Sequence, residues 1–114
     1  MDSTRQKKIS RLIQEDLSQI FLTEMKPTLG NSLITVTSVR VTSDLSIARI
    51  YVSIFPIGGA TKEQVIQGIS DNISDIRRRL GLREAKQLRI IPTLEFHLDD
   101  SLDYAENIDR LLKQ

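Results

Sequence analysis

The sequence predicts one α+β domain, spanning residues 1–114, in which helices pack on a three-stranded sheet in the order αββααβα. Two periodicities lead to this class. Apolar residues recur at three- and four-residue steps in three segments, a pattern typical of amphipathic helices. Apolar and polar residues alternate in two further segments, a pattern typical of half-buried strands. The chain length suits a single core, and no repeat, linker or low-complexity stretch divides it.

The first predicted element is a helix over residues 4–25. Ser3 and Gln6 fit a capping box at its start, and Pro27 and Gly30 predict its end. The apolar face of this helix comprises Ile9, Leu12, Ile13, Leu17, Ile20 and Phe21.

Residues 33–55 are predicted to form a β-hairpin. The segment Ser43–Ser46 has the composition of a turn, and alternating residues flank it on both sides. The apolar phase shifts by one residue between Val36 and Val39, which predicts a β-bulge near Thr37 and Ser38.

The second helical segment begins with Thr61 and Gln64, which fit another capping box. Its apolar stripe comprises Ile66, Ile69, Ile73, Ile76 and Leu80. Gly81 is predicted to cap its C-terminus. Periodicity alone predicts one unbroken helix, which would give the order αββαβα. Asn72 and Ser74 are weak helix formers, so any bend that divides the segment into two helices is predicted between them.

Strict alternation over residues 88–98 predicts a third strand. Pro92 cannot donate a hydrogen bond to a neighbouring strand, which predicts an edge position or a bulge. A final short helix is predicted from the acids before Ser101, because acids suit the positive end of a helix dipole. Its apolar residues are Ala105, Ile108, Leu111 and Leu112.

The composition excludes several classes of function. The chain contains no cysteine, so disulfides, thiolate zinc sites and cysteine nucleophiles are excluded. No apolar run approaches the ~20 residues of a membrane-spanning helix, and the first residues lack the apolar core of a signal peptide. We therefore expect a cytoplasmic protein with no membrane partner.

A catalytic site is not expected, nor is any cofactor or metal. His97 is the only histidine, and its neighbours Asp99 and Asp100 could form a histidine–carboxylate or metal site with it. A surface histidine followed by two helix-capping acids explains the same residues without special chemistry. The pair Gly58 and Gly59 lacks the further glycines and lysine of a phosphate-binding loop.

Basic residues are concentrated in two clusters, although the formal net charge is only +1. The first cluster comprises Arg77, Arg78, Arg79, Arg83, Lys86 and Arg89, with Glu84 as the single acid among them. The second comprises Arg5, Lys7, Lys8 and Arg11. Helical geometry places Arg78 opposite the apolar stripe and Arg77 and Arg79 at its sides, which favours an exposed phosphate-binding face. The alternative is a solvated face on which some arginines pair with Asp71 and Asp75.

Two further patterns bear on the partner. The segment 95–109 contains six acids and no lysine or arginine, which would suit a protein–protein interaction module facing a basic partner. The five aromatic residues offer no obvious platform for stacking bases, since Phe21 and Phe96 fall on apolar phases. We therefore expect recognition of an RNA backbone or of a large ribonucleoprotein.

Three stretches resemble the ribosome-binding factor A family: the opening basic helix, VRVTSDLSIARIYVS at 39–53, and LRIIPTLEFHLDDS at 88–101. The resemblance implies a type II K-homology fold in which the usual Gly-x-x-Gly RNA loop is absent and a kinked helix pair replaces it. Here Asn72, Ile73 and Ser74 occupy the kink, where the family usually has a small Ala-x-Gly motif.

The resemblance also implies a function. It predicts a non-catalytic monomer that binds the immature small (30S) ribosomal subunit, assists processing of its 16S rRNA and is important in cold adaptation. The predicted RNA-binding residues are both basic clusters together with the kink residues. The interaction module built on the acidic segment is the alternative.

Overall fold

The computed structural model describes residues 3–30, 32–88 and 90–99. Arg89 and the predicted final helix lie outside the described residues. The elements are α1 (Thr4–Gln19), a π-helical turn (Ile20–Glu24), α2 (Lys26–Leu29), β1 (Leu33–Val41), β2 (Ile47–Phe55), α3 (Lys62–Asp71), α4 (Ile73–Glu84) and β3 (Thr93–Leu98). No helix within this part of the chain is long and apolar enough to cross a membrane.

Helix α1 begins as predicted and ends earlier. The capping box is confirmed, since Gln6 N–H donates to Ser3 Oγ (3.1 Å) and Ser3 N–H donates to Gln6 Oε1 (2.8 Å). The α-helical pattern stops at Gln19, and the following π-helical turn is closed by a bond from Met25 N–H to the Ile20 carbonyl (3.0 Å). The wider turn lets Ile20 and Met25 both remain buried.

The predicted helix end at Pro27 is wrong in detail. Pro27 lies in the first turn of α2, where its missing N–H has no intrahelical partner to lose. Gly30 ends α2 with a φ of 80°, a conformation that favours glycine.

The sheet has the order β1-β2-β3. Strands β1 and β2 form the predicted antiparallel hairpin, in which Leu33 pairs with Phe55 and Val41 with Ala48. The register shifts between Val36 and Ser38, which confirms the predicted bulge. Strand β3 lies at the edge, parallel to β2.

The third strand is shorter than predicted, because it begins at Thr93 and not at residue 88. Pro92 has no N–H to give to β2. The carbonyl oxygens of Ile91 and Pro92 accept hydrogen bonds from the Arg77 guanidinium instead. The residues before Thr93 therefore form an irregular segment, and Pro92 marks the entry to the edge strand.

The break between α3 and α4 falls at Asn72, within the predicted segment. Asn72 has φ −109° and ψ 16°, outside the helical range, and its Nδ2 donates to the Gly68 carbonyl (2.8 Å). The Thr61 and Gln64 capping box is confirmed. Gly81 is not a helix cap, because α4 continues to Glu84 and Gly81 has no positive φ.

One core lies between the helices and one face of the sheet. Helix α1, the π-helical turn, β2, α3 and α4 all contribute side chains that are fully buried. These are Ile13, Leu17, Ile20, Ala48, Ile50, Val52, Ile69, Ile76 and Leu80. Alternate residues of the strands face the other way, and there Arg40, Arg49 and His97 are exposed. The helices and the segment before β3 thus present one surface of the domain, and the outer face of the sheet presents another.

Candidate nucleic-acid interface

Arg77 and Arg78 lie on the outer side of α4, where the sequence predicts them. Both are exposed. The Arg78 guanidinium contacts the Asp75 carboxylate at 2.7 Å, whereas Arg77 donates to the backbone carbonyls of Ile91 and Pro92. Arg77 therefore fastens the segment before β3 to α4 while it keeps a positive charge at the surface.

Arg79 and Arg83 are held by Glu24, which the π-helical turn presents to α4. The Glu24 carboxylate accepts from Arg79 at 3.1 Å and from Arg83 at 2.8 Å. The hydrogen bond from Arg83, followed by that from Arg79, holds the pKa of Glu24 below its usual range. Only about a third of each arginine side chain is exposed, so these two cations contribute less free charge to the surface than their number suggests.

The alternative interpretation expected some of the arginines to pair with Asp71 and Asp75. Among the described residues, this pairing is present for Asp75. The Asp75 carboxylate accepts hydrogen bonds from Arg78 and from Arg79 (3.0 Å). These bonds lower the pKa of Asp75, and the bond from Arg78 has the larger effect. Asp71 instead accepts a hydrogen bond from Gln67 (2.9 Å).

The second cluster lines a groove beside Gln87 and Leu88. Arg5, Lys8 and Arg11 line this groove, of about 490 Å³, together with Gln87 and Leu88. Arg11 is paired loosely with Glu15 at 3.9 Å, and both side chains are largely exposed. Lys7 is exposed and is not among the lining residues.

The two basic clusters meet along residues 87, 88 and 90–92, which together we call segment 87–92. A second groove, of about 360 Å³, lies between Arg5 and Ile90, and a shallow pocket of about 290 Å³ joins Ser74 to Arg77, Arg78 and Ile91. All three depressions border the 87–92 segment. We call this surface the basic band, and its residues are Arg5, Lys8, Arg11, Ser74, Arg77, Arg78 and Lys86, with segment 87–92 between them.

None of these three depressions is lined by Lys86, Asn72 or Ile73. Lys86 is exposed just after α4 and adjoins Gln87. Asn72 and Ile73 are half-buried at the kink, and the Asn72 amide is engaged with α3. Arg89 lies outside the described residues.

The sequence did not predict that residues 88 and 90–92 help to form these grooves. The alternation there predicted a strand, whereas in the fold Ile90 is 79% exposed and Pro92 lines a groove. The useful signal was Pro92, which cannot continue a strand ladder.

The sequence also did not predict an aromatic pair on the outer face of the sheet. The rings of Tyr51 and His97 stack with centroids 5.4 Å apart, and His97 Nε2 lies 3.2 Å from Glu95 Oε1. Phe21 and Phe96, which fall on apolar phases of the sequence, pack edge to face with their ring centroids 5.9 Å apart. No three His, Asp or Glu residues in the described part of the chain lie close enough to hold a metal ion.

Glu84 is buried, although in the sequence it is the single acid within a basic stretch. Its side chain is fully buried, and neither carboxyl oxygen has a hydrogen-bond partner among the described residues. Burial, and secondarily the neighbouring Asp16 carboxylate, raises the pKa of Glu84 to about 8. Burial therefore favours the uncharged form of Glu84.

Comparison with known proteins decides the family. The family model for ribosome-binding factor A matches residues 5–112. The chain belongs to the ribosome-binding factor A family. The family protein of Flavobacterium johnsoniae is 45% identical over 113 residues, which cover 98% of this chain and 85% of that one. The family protein of Cytophaga hutchinsonii is 40% identical over 114 residues, which cover 100% of this chain and 84% of that one.

Solved structures of the ribosome-binding factor A family share the fold. The crystal structure from Thermus thermophilus matches with a TM-score of 0.65 at 22% identity, covering 82% of this chain and 94% of that one. A Thermus thermophilus model fitted into a cryo-electron-microscopy map of a 30S complex matches with a TM-score of 0.62 at 24% identity, covering 80% and 91% of the two chains. The predicted K-homology-like α+β fold is confirmed.

Proposed function

We propose that this chain is a non-catalytic ribosome assembly factor that binds the immature 30S subunit through the basic band. In this proposal it acts as a monomer in the cytoplasm, needs no cofactor, assists processing of 16S rRNA and supports growth in the cold. Membership of the ribosome-binding factor A family supports the ribosomal partner, and so does the fit of a Thermus thermophilus relative into a 30S complex. The observation that carries the RNA contact is the meeting of two basic clusters along segment 87–92.

The band has the charge that an RNA backbone requires. Arg5, Lys8 and Arg11 come from α1, and Arg77, Arg78 and Lys86 come from α4 and the residue pair after it. Within the described residues the acids paired directly with these cations are Glu15 and Asp75, so positive charge remains in excess. Carbonyl partners do not neutralise Arg77, which can contact a phosphate while it holds segment 87–92.

The predicted site residues therefore divide by role. Arg79 and Arg83 position α4 against the π-helical turn through Glu24. In this proposal Asn72, Ile73 and Ser74 allow the RNA backbone to approach the kink. Lys7 and Arg89 stay predicted phosphate contacts.

The test is co-sedimentation of the full chain with immature 30S subunits, mature 30S subunits and bare 16S rRNA at two salt concentrations. We choose the variant Lys8→Gln/Arg78→Gln, which leaves the bonds of Arg77, Arg79 and Arg83 intact. The matched control is Arg40→Gln/Arg49→Gln, which removes the same charge from the outer face of the sheet.

The band variant should bind less tightly, and the slope of log affinity against log salt should decrease by about 1 to 2. The control should keep both the affinity and the slope of the wild type within a factor of two. Equal losses in the two variants would show that overall charge, and not the band, drives binding, and binding by neither variant nor wild type would refute the proposal.

The alternative function, a protein–protein interaction module, rests on the acidic segment 95–109. In the described part of that segment the two acids Glu95 and Asp99 already have partners within the sheet. Glu95 lies 3.7 Å from Arg49, and Asp99 accepts a hydrogen bond from Thr37 (2.6 Å). Charge reversal at Asp103, Glu106 and Asp109 would abolish association under this alternative and should leave it intact under ours.

A further inference from the structure

One groove of the basic band has walls that phosphate binding does not explain. Between α1, the hairpin turn and segment 87–92 lies the groove of about 360 Å³, a volume typical of sites that hold a small organic group. Its walls include the aliphatic side chains of Ile9, Leu45, Leu88 and Pro92. Ile90 also lines it, with 79% of its surface exposed. The groove therefore offers apolar contact to a flat or aliphatic group that enters from solvent.

The wall formed by Leu45 is built at a conformational cost. Leu45 has φ 63°, in the left-handed region that residues other than glycine and asparagine rarely adopt. The turn around it is fastened, because Asp44 Oδ1 accepts from both the Thr42 hydroxyl and the Ser46 hydroxyl at 2.7 Å. A glycine would satisfy this backbone more easily, but only a large side chain supplies the wall. The turn therefore fixes the backbone that carries the Leu45 wall of the groove.

The cations beside the groove indicate which occupant fits. Arg5 lines this groove together with Asp44, whose carboxylate is engaged by the Thr42 and Ser46 hydroxyls, and Arg5 also lines the adjoining groove that holds Lys8 and Arg11. A nucleotide presents the matching combination, a planar apolar face attached to an anionic phosphate. Nucleic-acid-binding proteins insert apolar side chains such as isoleucine and proline between bases, and enzymes that extrude a base hold it between aromatic or apolar side chains. An apolar side chain of a partner protein would use the walls and leave the row of cations without a role.

We infer that this groove receives one unstacked base of single-stranded RNA, while Arg5, Lys8 and Arg11 contact the phosphates that flank it. This inference rests on the proposed function, because it specifies which form of RNA the basic band accepts. Because the walls are aliphatic and contact comes mainly from stacking and burial, discrimination among the four bases should be weak.

The test compares two exposed aliphatic residues. Ile90→Ser removes a side chain that lines the groove, and Leu82→Ser removes a side chain that is 72% exposed on α4 and does not line it. Neither change creates a cavity, and thermal unfolding followed by circular dichroism confirms that both variants are folded. Each full-length variant is titrated with a single-stranded RNA oligonucleotide and with an oligonucleotide of equal length made of abasic ribose phosphates.

The wild type should bind the base-bearing RNA at least five-fold more tightly than the abasic chain. Ile90→Ser should reduce this preference to about two-fold or less without changing the salt dependence, and Leu82→Ser should keep it. Equal affinity of the wild type for both oligonucleotides, no binding to either, or an unchanged preference in Ile90→Ser would overturn the inference.

Co-sedimentation with 30S subunits separates this inference from the proposed function. If the wild type sediments with subunits and shows no preference for bases, only the base-binding groove is refuted. If Ile90→Ser loses subunit binding while its preference for base-bearing RNA is unchanged, the groove holds a protein side chain and the inference also falls. If the wild type does not sediment with subunits, the proposed function fails, and with it the ribosomal origin of the base.

Discussion

Glu24 and Arg83 join the π-helical turn to α4 through two hydrogen bonds on one carboxylate oxygen. Arg83 Nη2 lies 2.8 Å and Nε lies 3.1 Å from Glu24 Oε2. The residues are 59 positions apart in the sequence. This contact makes Arg83, one arginine of the basic stretch, a residue that positions α4 against the π-helical turn.

The first prediction concerns Glu24. Glu24→Gln should lower the free energy of unfolding by about 1 kcal/mol at pH 7, because both partners are about a third exposed and solvent screens their attraction. The lowered pKa of Glu24 means that this stabilisation is present above the ordinary pKa and is lost as the pH falls through the folded-state value. Urea unfolding at pH 7 and pH 3 measures both effects.

The control for Glu24 is Glu15→Gln, which removes an acid whose contact with Arg11 is longer and largely exposed. It should change stability by less than about 0.5 kcal/mol. An equal loss in the two variants would contradict the role assigned to the Glu24 contacts.

The second prediction concerns Glu84. Because its pKa is raised to about 8, the folded protein retains a proton that the unfolded chain has lost between pH 4.5 and 8. Stability should therefore decrease as the pH rises through this window. Glu84→Gln, which keeps the shape and cannot ionise, should remove this decrease and be more stable than the wild type at pH 9 by roughly 1–3 kcal/mol.

Urea unfolding at pH 5, 7 and 9 tests this prediction for Glu84. Glu63→Gln is a suitable comparison because Glu63 is exposed on α3. If the stability of the wild type and that of Glu84→Gln depend on pH in the same way, Glu84 is ionised and satisfied in the folded state.

The third prediction concerns the kink. Asn72→Ala removes the hydrogen bond from Nδ2 to the Gly68 carbonyl and should cost about 1 kcal/mol of stability. If the kink is where the RNA backbone approaches, affinity for 30S subunits should also fall at a temperature where the variant is fully folded. Ser70→Ala, an exposed position on α3, is the control. Reduced stability with unchanged affinity would restrict Asn72 to a structural role.

The fourth prediction concerns the β-bulge. The Thr37 hydroxyl contacts the Asp99 carboxylate at 2.6 Å and so ties the bulge of β1 to the residue after β3. Thr37→Val keeps the shape and removes this bond, which should cost about 1–2 kcal/mol. Hydrogen exchange of the Asp99 amide, which bonds to the Val52 carbonyl at 2.7 Å, should become faster. Thr35→Val, exposed on the same strand, should leave this exchange unchanged.

Features governed by neighbours in the sequence were predicted well. Both capping boxes depend on residues three positions apart, and the bulge depends on a phase shift within one strand. The break at Asn72 follows from a side chain that competes with the helix for backbone hydrogen bonds four residues away. Such features need no knowledge of the rest of the fold.

The errors occurred where distant segments meet. Gly81 was expected to end α4, but the helix continues to Glu84, which packs into the interior beside α1. Residues 88–92 alternate like a strand, yet Arg77 binds the carbonyls of Ile91 and Pro92 and β3 begins only at Thr93. Local pattern cannot reveal such partners, because they come from other elements.

The sequence by itself determined the class of fold, the family and the two basic clusters, since periodicity, motifs and charge are properties of the order of residues. Only the tertiary structure decided which cations are available to a partner. Glu24 engages Arg79 and Arg83, and Arg77 fastens segment 87–92, which joins the two clusters into one band and opens a groove beside it. The physical reason is that the free charge and shape of a surface depend on what each side chain contacts, and these contacts join residues far apart in the chain.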